Sequence, residues 1–400
     1  MDAMSVGEKL TPDLSRDKAH KVVELYIKGV NKKFSIQISR KKIEFFLVNR
    51  VLAAEKHDPV LLEFLNGNST YVTRSARHYN FYLDNDINEN IRSIWREIFI
   101  DIKRFAPDFV EPIWGLLIPL SETFGLGSQF TPTKEGIARK VESLQRTLSQ
   151  PKAFDVAHSR ERMVDYHNQY TVYTLYMLIN GSGYRAVYNP LPSLHFNLHR
   201  HGAIMISDKD SAKDYAHMRL VAAPTPLIEQ LQYYLEHLNA LANHLAMTAE
   251  SLAMNMYFHS AQKPFLSMRG KLEKREWFDT AKHSKSNDGT LVFLSIDKES
   301  GRLRAKNAGP SLLNEQDNSE VSLPLNFGRH YIRQYLQKAG VHQEAIKFQL
   351  GHWVAGEIPL SSFSTQDHGQ TIALLRPLLD EMMASLGWKE IPSLLTRKRQ

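Results

Sequence analysis

Apolar residues recur at one-turn spacing in several separate stretches, and each stretch predicts an α-helix. After a polar start of about twenty residues without such a pattern, it begins with Val22, Leu25 and Tyr26 and resumes with Ile43, Phe46, Leu47 and Val51. From Ile87 to Phe105, the positions Ile91, Ile94, Trp95, Ile98 and Ile102 line one face that can bury apolar surface. The segment SETFGLGSQFTPT then breaks the pattern with Gly, Ser, Pro and Thr, which is loop chemistry and marks a domain boundary. Beyond it, Lys134 to Leu148 and Met163 to Asn180 predict two more helices, the second closed by Gly181 and Gly183.

The period then changes. Ala203 to Ile206 and Met218 to Ala222 are short β-like runs on either side of the polar SDKDSAKDYAH, which predicts a hairpin with an extended tip. Helical spacing returns from Leu227 to about Tyr257. A Lys-rich stretch follows, with an apolar run from Leu291 to Ile296. The last third predicts helices at Arg329 to Ala339, Gln343 to Leu350 and Thr371 to Leu386, before the basic tail TRKRQ. The expected class is mainly α with a small β-hairpin or sheet (α+β), divided into a helical domain over 1–130 and a second domain over 150–400. A chain of 400 residues is long enough for two such cores.

Composition removes several functions. With no cysteine, disulfide frameworks, thiol chemistry and thiolate zinc sites are excluded. No apolar run reaches the roughly 18 to 20 residues of a membrane span. The longest, Phe109 to Leu120, is interrupted by Glu111, Pro112 and Pro119. A soluble cytoplasmic protein with no membrane partner is expected, nucleoid-associated if the host is bacterial. The formal charge of +7 and pI near 9.2 favour a polyanionic partner, double-stranded DNA above all. That excess is spread along the chain, but Lys28, Lys32, Lys33, Arg40, Lys41 and Lys42 follow one another with no acid among them. Such a stretch suits phosphate contact with counterion release; the plainer alternative is a solvated basic face.

Phosphate-loop, dinucleotide, zincin and nucleophile-elbow motifs are all missing. His195, His199 and His201 have a metal-like spacing, but prolines precede them and no carboxylate sits at a matching offset, so neither a metal nor a cofactor is expected. A different set of residues sits at element ends. LINGSGYR ends a helix in a Gly turn that presents Arg185; the hairpin carries Lys209 and Lys213; NFGRHYIRQYLQKAG opens a helix with Arg329 and His330; EAIKFQLGHW closes the next on Gly351 and His352. Arginines offer paired planar donors to phosphate oxygens, Lys can protonate a departing alkoxide, and His can accept or position a proton.

Over roughly residues 150 to 390 these segments resemble the tyrosine recombinases, or phage integrases. In that family a helix and T-G-x-R present one Arg, a β-hairpin presents Lys, H-x-x-R opens a helix ending in A-G, and L-G-H follows. Each match is short, whereas their joint order and spacing is specific. The resemblance implies that Arg185 and Arg329 clamp a scissile phosphate, that Lys209 (or Lys213) is the hairpin lysine, and that His352 is the Leu-Gly-His histidine. His330 joins the DNA-contacting set. It further implies a clamp around duplex DNA and either self-assembly on DNA or action beside an active recombinase partner.

Two positions depart from the pattern. Asn326 stands where the family has His, and can hydrogen-bond but not exchange a proton near neutrality. The family's nucleophilic Tyr falls at about position 361, where this chain has Ser361, with Phe363 close by; the last tyrosine of the chain is Tyr335. Phe363 has the ring without the oxygen, so the expected function is DNA binding in recombination or mobile-element integration, with strand cleavage lost or reduced. Alternatives are an active recombinase using Ser361 or a Tyr supplied in trans, and a helical interaction protein with no DNA role. Whether the chain is an enzyme therefore turns on a nucleophile the sequence does not supply.

Overall fold

The computed structural model describes residues 16–53, 81–108, 125–128, 131–151, 155–156, 159–185, 202–207, 218–246, 248–249, 252–253, 256, 291–352 and 367–396. The chain is mainly helical with small antiparallel sheets. It divides into two compact units, Met1–Tyr71 with Ile87–Leu120, and Val72–Asp86 with Ser121–Gln400. No helix among the described residues is long and apolar enough to cross a membrane.

The described part of the first unit is built from α1 (Arg16–Phe34), α2 (Arg40–Ala53) and most of α3 (Asp84–Lys103). Val48 of α2 packs against Ile94 and Ile98 of α3, with Leu47 and Ile102 at the edge. Arg50 and Asp101 add an ion pair at 2.6 Å. The apolar spacing in α1 does not translate into burial. Leu25 and Tyr26 are 67% and 74% exposed, and among the described side chains of α1 the buried one is Ile27.

In the second unit, β1 (Phe81–Leu83) pairs antiparallel with β2 (Gly125–Gly127). The main core forms around α5 (Arg160–Ser182). From Tyr166 to Tyr184 every residue except Gln169 is buried, so this helix is covered on all sides rather than along one stripe. Ser159 caps its start by accepting a hydrogen bond from the Arg162 amide, and Gly183 ends it in the left-handed region at φ 68°. Packed around it are α4 (Lys134–Ser149), α6 (Thr225–Leu245), α8 (Phe327–Lys338) and α10 (His368–Ser385). The predicted α6 overruns its observed end. A turn at Ala246 stops the helix with neither Gly nor Pro to announce it.

The anticipated hairpin is present as β3 (Ala203–Ser207) and β4 (Met218–Ala222), with Ala203 opposite Ala222 and Ser207 opposite Met218. A second hairpin, which periodicity missed, joins β5 (Val292–Ile296) to β6 (Leu303–Asn307). Asp297 builds its turn by accepting amide hydrogens from Glu299 and Ser300, and Gly301 supplies a φ of 64°. Asn168 of α5 docks this hairpin, donating to the Leu294 carbonyl at 2.9 Å and accepting from the Leu294 amide at 2.8 Å. The short α7 (Pro310–Gln316) leads towards α8, and α9 (Gln343–Leu350) follows it.

Candidate phosphate-binding site

Two helix ends create the site's electrostatic need. The last carbonyls of an α-helix lack intrahelical partners and carry the negative end of its dipole. The ends of α5 and α9 come together here, each terminated by a left-handed glycine, Gly183 and Gly351. Two arginines meet them. Arg329, in the first turn of α8 and 1% exposed, donates to the Gly183 carbonyl at 2.9 Å and also to the Leu350 carbonyl. Arg219, the second residue of β4, donates to the same Gly183 carbonyl at 3.1 Å and to the Gln349 carbonyl.

His352 follows Gly351 directly. Its Nε2 accepts a hydrogen bond from Arg329 at 2.8 Å, so that nitrogen carries no proton and the ring is the neutral Nδ1–H tautomer. Burial, first of all, and then the charges of Arg329, Arg333, Arg219 and Arg185 hold its pKa well below the usual histidine value. The charges of four arginines thus act on one neutral histidine, an arrangement suited to a multiply charged anion.

The fold explains how distant sequence positions arrive here. Gly328 lets α8 approach α5 so closely that a Cβ in its place would lie 2.1 Å from the Ile179 carbonyl oxygen. That contact puts Arg329 beside the end of α5. Gln349 ties α9 to β4, accepting from the Ala222 amide at 3.0 Å and donating to the Ala222 carbonyl at 3.0 Å. Arg185 lies two residues beyond Gly183, partly buried. Arg333 is one turn beyond Arg329 on the same face of α8, and buried.

Of the residues anticipated from sequence, Arg185, Arg329 and His352 are therefore brought together. Asn326 precedes α8 but is exposed and makes no side-chain cap. His330 is buried, not a surface contact. Lys209, Lys213, Ser361 and Phe363 lie outside the described residues, as do His195, His199 and His201. Lys28, Lys32, Lys33, Lys41 and Lys42 are exposed on α1 and α2, with Arg40 partly covered. No group of acids and histidines able to hold a metal occurs among the described residues.

Sequence reasoning missed Arg219 and Arg333. The signal for Arg219 was a lone charge inside the apolar strand MRLVA; for Arg333 it was the four-residue spacing from Arg329. No family model, curated protein or solved structure matches the chain.

Proposed function

We propose that this chain binds double-stranded DNA through a tyrosine-recombinase-like phosphate site, acts in recombination or integration, and has lost or reduced strand cleavage. The observation that carries the reading is that Arg185 and Arg329, in the chain order of that family, act on a neutral His352, with Arg219 and Arg333 adding positive charge. Guanidinium groups fixed before binding stabilise phosphate charge without reorganising. The loss of cleavage is argued from Ser361, Phe363 and the lack of any tyrosine after Tyr335. Attack by Ser361 would need a base of ordinary strength. His352 is a poor one, because its Nε2 lone pair is engaged by Arg329 and protonation is opposed on all sides.

The test is duplex binding as a function of salt, together with trapping on a nicked suicide substrate. Affinity should fall steeply with salt, and Arg185→Ala should lower it about tenfold. No covalent adduct should form with the unaltered chain, whereas Phe363→Tyr or Ser361→Tyr should create one. Salt-independent or negligible DNA binding would overturn the reading, and an adduct on the unaltered chain would overturn the loss of cleavage.

A further inference from the structure

We propose that Arg219 is a positioning residue of this site: it holds the turn that presents Arg185 and the turn that presents His352 in one fixed relation. The inference rests on the DNA-phosphate reading of the same cluster and extends it to a residue on a different element.

Arg219 is 2% exposed and sits in β4 opposite Ile206. A buried arginine in a strand of a small sheet carries a heavy desolvation cost unless its donors are satisfied. They are satisfied by the carbonyls of Gly183 and Gln349. Those carbonyls belong to the last turns of two different helices, and each lies just ahead of a site residue, Arg185 in one case and His352 in the other. The planar guanidinium serves both at once because its donors diverge in a fixed fork; the point charge of an ammonium does not reproduce that spacing.

Packing limits any other arrangement. A Cβ at Gly351 would come within 2.8 Å of Arg219 Cδ, so the His352 turn lies against the arginine stem itself. Arg329 donates to the same Gly183 carbonyl. The two arginines therefore differ in role. Arg329 touches His352 directly, whereas Arg219 acts on it through the backbone of its turn and through its charge.

Arg219→Lys keeps the charge and removes the fork. Three measurements on this variant, Arg185→Ala and the double variant decide the matter: thermal midpoint, salt-dependent affinity for a duplex, and the imidazole ¹⁵N spectrum of His352. We expect Arg219→Lys to remain folded, to bind DNA about tenfold more weakly, and to add nothing further in the Arg185→Ala background, because both changes disable the same contact. The His352 spectrum should lose the single Nδ1–H tautomer.

A variant that lowers the thermal midpoint yet keeps wild-type affinity and spectrum would overturn the proposal, as would fully additive losses. If the unaltered chain proves not to bind DNA, the functional reading fails, and the His352 spectrum alone decides the positioning role. An altered tautomer in a folded Arg219→Lys protein would sustain it, and an unchanged one would overturn it.

Discussion

Lys140 is an ammonium with almost no access to water, and three acceptors account for its stability. It donates to Asp317, to the Ser319 hydroxyl and, at 2.7 Å, to the Val321 carbonyl, while its Nζ lies 4.3 Å from the centre of the Tyr176 ring. Burial lowers the Lys140 pKa more than Asp317 raises it. For Asp317, burial acts upward, but hydrogen bonds from Lys140, Ser319 and Tyr176 outweigh it and leave the carboxyl below its usual range. Removing only the cation strands a largely covered carboxylate, which costs about 3 to 5 kcal/mol when such a pair is broken on one side. Lys140→Met should therefore lose about that much in chemical denaturation, and adding Asp317→Asn should recover part of it. Equal losses in the single and double variants would mean that the pair contributes only through packing.

Among the elements, the helix pair α5 and α8 sets the site, and Gly328 sets the pair. Its missing side chain lets the backbone of one helix touch that of the other, with Ile179 and Asn180 as the immediate neighbours. Gly328→Ala would place a methyl group against the backbone, which cannot move aside as a side chain can. It should cost about 2 to 3 kcal/mol and weaken duplex binding as well, since Arg329 is the next residue. Unfolding and binding measurements on one preparation check both; unchanged affinity would mean that Arg329 is placed independently of the helix crossing.

The helices themselves were readable because their apolar spacing and caps are local. For α5 the observed Arg160–Ser182 encloses the stretch read from Met163 to Asn180, and β3 with β4 follows two short apolar runs. What was not readable depends on remote partners. In β6, Leu303, Ala305 and Asn307 alternate with Arg304 and Lys306, and that polar strand acquires meaning only opposite the apolar β5. Arg219 likewise looks like an outward charge until Gly183 and Gln349 face it. In α1 the reverse holds: the spacing is helical, but a periodic face says nothing about what covers it.

At the scale of the whole second unit, the C-terminal segment is sewn to the core by polar groups that must stay neutral. Tyr170 donates to the Ile391 carbonyl at 2.6 Å, Tyr173 to the Lys389 carbonyl at 2.5 Å, and Trp388 to Asn180 at 2.7 Å. The deepest stitch is a chain through two buried histidines. His167 Nε2 lies 2.9 Å from the Val292 carbonyl and must donate to it; its Nδ1 must then accept from His237 Nε2 at 2.9 Å; His237 Nδ1 accepts in turn from the Ser393 hydroxyl at 2.7 Å. The two accepting nitrogens, His167 Nδ1 and His237 Nδ1, must carry no proton. Burial pushes His167 down to about 4, partly offset by its bond to Val292, and burial together with His167 pushes His237 well below the ordinary value.

Because the unfolded chain protonates these rings near pH 6.5 and the folded chain resists, the unfolded state binds more protons as pH falls. Stability is thus fully present above about pH 6.5 and is lost progressively towards pH 4. His167 alone accounts for a loss on the order of 3 kcal/mol across that window, and His352 contributes with the same sign. Urea unfolding at steps from about pH 7.5 to about pH 5 should show the midpoint falling, and His237→Gln should flatten the slope by removing one of the protonating groups. A midpoint that holds constant over that range would mean that protonation leaves the histidine chain intact and that the C-terminal segment is held by its tyrosine and tryptophan contacts alone.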